Sequence, residues 1–547
     1  LTVQGDFDEI IDTDRSKLCF FERVNGKSHW SETMGVKMYA FVTVIVLFGF
    51  GGPLIAAKKA TGGGEIDAGG KYLQVVKAYV DTMLRDGRDT YGQKYSPLFA
   101  TTLDRKTLKI FDDAAIGELF QQRLDDWDNW RIRNADRWFG GANPHHHMSL
   151  YQILYALTDV TGDKRYAAEA DKSLGWFFNN CQSPATGLLA WGEHMGWDFR
   201  TESIVPREKY KHKLVYDGMC PTYAIHEFAG PWVLWERSFD IAPEPCLRFA
   251  KGLWENQIGD HKTGNYSRHA NYAWHGTLVN DEYPRHGGFY IATWAHAYSR
   301  TKDPFFTHAI ETLVDYMDGR RSPQSDGIPA ESAERSKGQT IWTTSNVSLA
   351  VDMHDGAEKV SQALAEKMRK SAARTDRVFL KLGHDLTPGG KGFLLNVSTH
   401  TLEPKGHAPY TNMNSHAGTA NLCLLRYGQT KSAGYRKLVL DAAKLYLASG
   451  IESEHAVIAN EQAAVIFLLL GAYEITNDKR YLERADFFAK QAVKLFLTEG
   501  SPLPQANSKY THYEAVAGPD TLMMALLKLH LIQTNAPKKP CLIYSHR

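Results

Sequence analysis

The hydrophobic pattern of this chain is mainly helical. In "KYLQVVKAYVDTML", Leu73, Val76, Tyr79 and Val80 recur at three- and four-residue spacing, which predicts one buried face of an α-helix. "MSLYQILYALTDV" repeats the pattern through Leu150, Ile153, Leu154 and Leu157, and "DKSLGWFFNN" continues it. "EQAAVIFLLLGAYEIT" is strongly apolar over 16 residues and bounded by polar turns, which predicts a buried helix rather than a membrane span.

A short motif recurs where these helices end. Thr161-Gly162-Asp163-Lys164-Arg165-Tyr166, Thr301-Lys302-Asp303-Pro304-Phe305-Phe306 and Thr476-Asn477-Asp478-Lys479-Arg480-Tyr481 share one logic. A helix stops, an Asp caps the next, and an aromatic follows it into the core. Such units predict antiparallel helical hairpins. Tetratricopeptide- or HEAT-like periods are absent, so a ring is favoured over a solenoid. The expected fold is all-α dominated, an (α/α) toroid or incomplete barrel of antiparallel hairpins with long loops. Strong βαβ patterning, GxGxxG and GxxxxGK[ST] are missing. The long, weakly periodic stretch 181–290 is rich in Gly, Trp, Tyr, His and Arg, and 322–345 is similar; loops of this kind bind or catalyse.

Composition adds few constraints. The chain has 547 residues, 43% hydrophobic and 23% charged, with a formal net charge of +1. That balance is globular and gives no global pull towards nucleic acid. The 13 Trp, 26 Tyr and 25 Phe fill cores, and they also make platforms for sugar rings. Cysteines 19, 181, 220, 246, 423 and 541 are thinly spread without a CxxC, which indicates neither a zinc ribbon nor a disulfide scaffold. Met34-Gly35-Val36-Lys37-Met38 precedes the apolar run Tyr39 to Ala57, and Lys58 and Lys59 follow. This reads as an export signal, with a retained membrane anchor as the alternative. The expected organisation is an N-terminal extension over 1–33, the signal or anchor over 34–57, a Gly-rich linker over 58–70 and a catalytic toroid over 71–547. A secreted or periplasmic location follows, with membrane attachment only if the segment is retained.

Four groups carry candidate chemistry: "NPHHHMSLY" with His145, His146 and His147; "TGLLAWGEHMGWDF" with Glu193 and His194 between Trp191 and Trp197; "TYAIHEFAGPWVLWE" with His226, Glu227, Trp232 and Trp235; and "NYSRHANYAWHGTLVNDEYPRHGGFY". A divalent ion needs His and carboxylate ligands converging from different elements. One or two of the three consecutive His, with Glu193 or His194 and His226 or Glu227, would make a mixed nitrogen and oxygen site. HExxH is absent, since Gly230 stands where the second His would be. The fourth group places Arg268, His269, Arg285 and His286 among Tyr and Trp, which suits an anionic sugar: Arg binds a carboxylate bidentately and aromatic rings stack on the sugar face. Separate hydrogen-bonded loop residues are the bland alternative for each group.

With those residues in view, the chain resembles exported polysaccharide lyases of (α/α) toroid type, in particular the family 2 pectate lyases, whose fold is an (α/α)7 barrel. The resemblance rests on Gly187–His194, a "GLLxWGxH"-like stretch, and on His226–Glu227, and covers roughly 145 to 240. It implies β-elimination on a uronic-acid polymer, with manganese or calcium neutralising the C5 carboxylate and an arginine removing the C5 proton. Ile225, not Arg, precedes His226, so the base is left among Arg268, Arg285, His275 and Tyr272. The resulting expectation has His147, Glu193 and His226 as metal ligands. Arg285 is the carboxylate clamp or base, and His194 orients a ligand or transfers a proton. Trp191, Trp197 and Trp232, with His269, bind an acidic polysaccharide or oligosaccharide. The alternatives are a toroid glycoside hydrolase using two of Glu193, Asp198, Glu227, Asp281 and Glu282, a sugar epimerase, or a carbohydrate-binding protein without turnover.

Overall fold

Helical hairpins make up most of the computed structural model, which describes residues 68–126, 129, 139–204, 225–279, 282–321, 329, 342–390, 392–396, 401–402, 416–448 and 456–546. The regions assigned above to 1–33 and 34–57, and 58–67 of the linker, lie outside the described residues. Gly69 and Gly70, expected in the linker, belong to the first helical turn.

The helices are α1 (Ala68–Arg85), α2 (Asp113–Asp125), α3 (Met148–Thr161), α4 (Arg165–Asn180), α5 (Trp235–Ile241), α6 (Pro243–Gln257), α7 (Pro284–Thr301), α8 (Pro304–Gly319), α9 (Thr343–Ala357), α10 (Gln362–Phe379), α11 (His416–Thr430), α12 (Ala433–Ala448), α13 (Ala459–Thr476), α14 (Lys479–Phe496) and α15 (Pro519–Gln533). Consecutive members pair as α3–α4, α5–α6, α7–α8, α9–α10, α11–α12 and α13–α14. Between pairs, α7 packs on α9, α9 on α11, α11 on α13, α13 on α15 and α15 on α3, while α5 and α6 lie between α4 and α7. The result is an open (α/α) toroid-like arrangement. The first helices of successive hairpins pack on one another in series, with α15 between α13 and α3.

The recurring turn motif makes the hairpins. Gly162, Lys302 and Asn477 adopt left-handed φ values of 78°, 57° and 57° and stop their helices. Asp163, Asp303 and Asp478 then accept the backbone N–H of Arg165, Phe305 and Arg480 at 2.9, 2.9 and 3.0 Å. The preceding Thr161, Thr301 and Thr476 each bond back to a carbonyl four residues earlier and accept the Asp N–H. Tyr166, Phe306 and Tyr481 are buried. A fourth instance, unnoticed in the sequence, joins α11 to α12: Thr430 bonds to the Arg426 carbonyl, Lys431 has φ 54°, and Tyr435 is buried.

The two helices of the α13–α14 hairpin differ in pattern, as their surroundings require. Helix α13 is buried from Ala459 to Ala472 apart from Glu461, whereas α14 buries one face through Tyr481, Ala485, Phe488, Ala489, Ala492 and Phe496. No helix among the described residues is long and apolar enough to cross a membrane. Cys181, Cys246, Cys423 and Cys541 are free thiols.

Short strands tie the loops together: β1 (Thr102–Leu103), β2 (Gly141–Ala142), β3 (Trp197–Asp198), β4 (Ser203–Ile204), β5 (Ile225–His226), β6 (Ile258–Asp260), β7 (Asn265–Tyr266), β8 (His269–Asn271), β9 (Thr277–Val279), β10 (Leu394–Asn396), β11 (Thr401–Leu402) and β12 (Tyr513–Glu514). The β5–β8–β9 sheet positions the site, with Ile225 opposite Asn271 and His226 opposite Ala270 in an antiparallel pair.

Candidate functional site

Strand alternation sends neighbouring residues to opposite faces, and here it separates His226 from Glu227. His226 turns to the core. Its Nδ1 donates to Gln257 Oε1 at 3.2 Å, and its ring lies against Phe228 and Phe249. Glu227 turns the other way and meets residues of β8 and its approach. Arg268 Nη1 donates to Oε1 at 2.6 Å, and His269 Nε2 donates to Oε2 at 2.7 Å.

The loop after α4 supplies the third side. Gly192 bridges Glu227 in parallel, and the Glu193 N–H donates to the Glu227 carbonyl at 2.9 Å. Gly192 has φ 105°, and a Cβ there would lie 1.8 Å from the Glu227 carbonyl oxygen, so this approach needs glycine. Asn143 clamps the turn, its Nδ2 donating to the carbonyls of Gly192 and Met195 at 2.7 and 3.1 Å. His194 Nε2 is thereby placed 2.8 Å from Glu227 Oε2. His286, in the first turn of α7, brings Nε2 to 3.3 Å from Oε1.

Glu227 is therefore a fully buried carboxylate (0% exposed) surrounded by one guanidinium and three imidazoles. Burial on its own would raise its pKa. The charge of Arg268 and of His269, with hydrogen bonds from His194 and His269, instead holds it well below the usual carboxylate range. Burial lowers the nearby histidines, His286 to about 4 and His226 to about 3.

Among the described residues, His194, Glu227 and His269 form a group whose ligand atoms lie within 4.8 Å of one another. Two nitrogens and one oxygen from buried side chains are a donor set that suits a divalent ion. The present contacts are hydrogen bonds of 2.7–2.8 Å. Ligands around a tetrahedral ion stand about 3.4 Å apart, so binding requires loss of the two Nε2 protons and an opening of roughly 0.6 Å.

The other residues singled out in the sequence lie elsewhere. His147 is bonded at both nitrogens, Nδ1 to Asp520 Oδ2 at 2.8 Å and Nε2 to the Ala100 carbonyl at 3.1 Å. Glu193 is buried beside the cluster, and its backbone N–H makes the Glu227 contact above. The structure thus does not gather His147, Glu193 and His226 into one ligand group. Trp191 is wholly buried, stacked on His145 at 4.3 Å and packed against Phe177, Phe249 and Trp232. Trp232 is buried, with Nε1 donating to Ser238. Trp197 is half-buried against Trp176. Tyr272 is buried, its hydroxyl 3.4 Å from the Cys181 carbonyl, and His275 is exposed with Nδ1 3.0 Å from Asn256 Oδ1. Arg285 is half-buried in the first turn of α7, 5.9 Å from the Tyr283 ring centroid; Arg268 lies over the same ring at 4.6 Å.

Of the five carboxylates considered for a hydrolase, Glu193 and Glu227 lie at the cluster, and two others are engaged in local turns and hairpins. Asp198 accepts the N–H groups of Arg200 and Thr201, and Glu282 accepts Asn265 and the Tyr316 hydroxyl. Asp281 lies outside the described residues. Sequence reasoning offered Glu227 and His194 as alternative ligands but chose His226 and Glu193 in their place; it listed His286 without linking it to Glu227, and it did not single out Tyr283, which lies against Arg268 and His286. The available signal was the period-two alternation in "IHEF" and "RHAN", which puts Glu227 and His269 on one face.

The model of a family described as periplasmic pectate lyase matches residues 127–314, about a third of the chain. Along more of its length the chain is similar to solved structures of sugar-processing enzymes. An unsaturated glucuronyl hydrolase specific for heparin matches at 10% identity and a TM-score of 0.43, with 86% of this chain and 100% of that chain covered. Cellobiose 2-epimerase from Bacillus thermoamylovorans B4167 matches at 9% identity and 0.40, covering 77% and 100%. D-Mannose isomerase matches at 9% identity and 0.43, covering 85% and 97%. Likeness at this level bears on the fold alone. None of these three structures is a lyase, and the expectation of a polysaccharide lyase acting by β-elimination is corrected on that finding, together with the lyase class.

Proposed function

We propose that this chain is a carbohydrate-active enzyme of the epimerase class, which moves a proton at the carbon bearing the carboxylate of a uronic sugar within an oligosaccharide or polysaccharide. The observation that carries the reading is Glu227 held ionised among Arg268, His194, His269 and His286. Such a site gathers hydrogen-bond donors and a fixed guanidinium where an anionic sugar develops enolate character, and the bound ion would supply the net positive charge.

His194, Glu227 and His269 would hold a divalent ion, which supplies charge to offset the substrate carboxylate when bound. Two imidazole nitrogens favour manganese over calcium, which prefers an all-oxygen shell. Arg268 keeps Glu227 ionised and adds a fixed positive charge at the edge of the cluster. Tyr283 lies beneath both Arg268 and Arg285, and its hydroxyl is the proposed proton carrier. Arg285 clamps the sugar carboxylate. The word periplasmic in the matched family's description supports an extracytoplasmic location.

The test is incubation of the full chain with manganese and oligogalacturonates in deuterated water, followed by mass spectrometry and product analysis. Deuterium entering a ring carbon without chain cleavage, and lost in Tyr283→Phe, is the expected result. New reducing ends without deuterium would replace this reading by hydrolysis. A rising ultraviolet band of an unsaturated uronate would overturn it in favour of elimination.

A further inference from the structure

The strand that carries His269 into the cluster continues into a hairpin whose tip, Tyr272 to Gly276, is fixed by buried polar side chains. Asn271 Oδ1 accepts the N–H groups of Ala273 and Trp274 at 2.7 and 3.2 Å. Asn256 Oδ1 accepts His275 Nδ1 at 3.0 Å and the Gly276 N–H at 3.4 Å, while its Nδ2 donates to the carbonyls of Thr186 and Gly252. Thr186 Oγ1 donates to the Tyr272 carbonyl at 2.7 Å. Asn256, Asn271 and Thr186 are all buried.

This tip presents Trp274 at 55% exposure, one of three large exposed hydrophobic residues among the described residues. A lone exposed indole needs no explanation. An indole on a turn immobilised by three buried polar side chains, five residues along the strand from a cluster ligand, is different. Its position is preorganised relative to Glu227, so a ligand meeting it loses little freedom on its behalf. Five residues of extended chain span at most about 17 Å, so the ring stands within reach of a glycan extended from the cluster.

We propose that Trp274 is a distal platform for a pyranose ring of the same glycan chain, so that the site takes oligomers in preference to single sugars or dimers. The C–H face of a pyranose is apolar and flat, and it stacks on the indole while the hydroxyls stay in water. This rests on the carbohydrate reading above and adds to it the length of the substrate.

The experiment titrates the full chain with galacturonate dimer and hexamer by calorimetry, in the wild type, Trp274→Ala and Trp274→Phe. The wild type is expected to bind the hexamer about tenfold more tightly than the dimer. Trp274→Ala brings the hexamer to the level of the dimer and leaves the dimer unchanged, and Trp274→Phe is intermediate. A wild-type preference for the hexamer that survives Trp274→Ala overturns the platform and leaves the carbohydrate reading standing. Binding of neither oligomer by the wild type overturns both. The exposed position keeps the variants folded, and far-ultraviolet circular dichroism verifies it.

Discussion

Replacing Glu227 by Gln keeps the shape of the most enclosed charge in the site and removes the charge itself. Arg268 Nη1 lies 2.6 Å from Oε1, with the guanidinium side chain 8% exposed and the carboxylate 0%. Unit charges about 4 Å apart at an effective dielectric of about 20 attract by about 4 kcal/mol. The amide also introduces a donor. Placed at Oε1 it meets the obligatory donor Arg268, and placed at Oε2 it is accepted only once His194 and His269 shift their Nε2 protons to Nδ1; in both placements Arg268 loses its counter-charge. An uncompensated buried charge of this kind costs about 3–5 kcal/mol. The assay is denaturant unfolding followed by tryptophan fluorescence, with chelator present so that no ion contributes. Glu227→Gln, Arg268→Met and the double variant complete a cycle, in which Arg268→Met costs less once the carboxylate is gone. A loss below about 1 kcal/mol, with no coupling in the cycle, would refute the reasoning.

Manganese titration by calorimetry is expected to show His269→Ala weakening binding at least about tenfold, with His147→Gln binding as the wild type does, because both His147 nitrogens are engaged by Asp520 and Ala100. Asp520→Asn should destabilise the fold by about 3–5 kcal/mol in urea unfolding, since Asp520 accepts Tyr79 and Tyr513 hydroxyls at 2.5 and 2.6 Å and pairs with His147; a change under about 1 kcal/mol contradicts the buried pair. Burial lowers His146 and His296 to about 3 and His384 and His546 to about 4. Below the unfolded value of about 6.5 the unfolded chain binds more protons, so each contributes stability that is present above that pH. That stability falls by up to about 1.4 kcal/mol per pH unit as pH drops towards the folded values. Melting temperatures that stay flat from pH 7 to pH 5 would contradict this.

The helical architecture was legible in the sequence because its determinants are local. The spacing of Val76, Tyr79 and Val80, the left-handed stops at Gly162 and Asn477 and the Asp caps after them act within a few residues. Even there, the Thr430 turn escaped notice because Ser432 replaces Asp. The chemically loaded segments were also visible: "WGEH", "HE" and "RH" all reach the site.

Which residue of each segment faces inward was decided only by tertiary structure. His226 and Glu227 differ by one position on a strand, so the register of β5 against β8 sends one to the core and the other to the cluster. Trp191 has the composition of a sugar platform, yet it is enclosed by His145, Phe177 and Trp232. His147 is directed to Asp520, 373 residues away, by the packing of α15 on α3. Helix stops and caps depend on neighbours along the chain, and the sequence contains those neighbours directly. A ligand set depends on pairings across 33 to 75 residues, from Glu227 back to His194 and from His194 on to His269, and those exist only after the strands have chosen their partners.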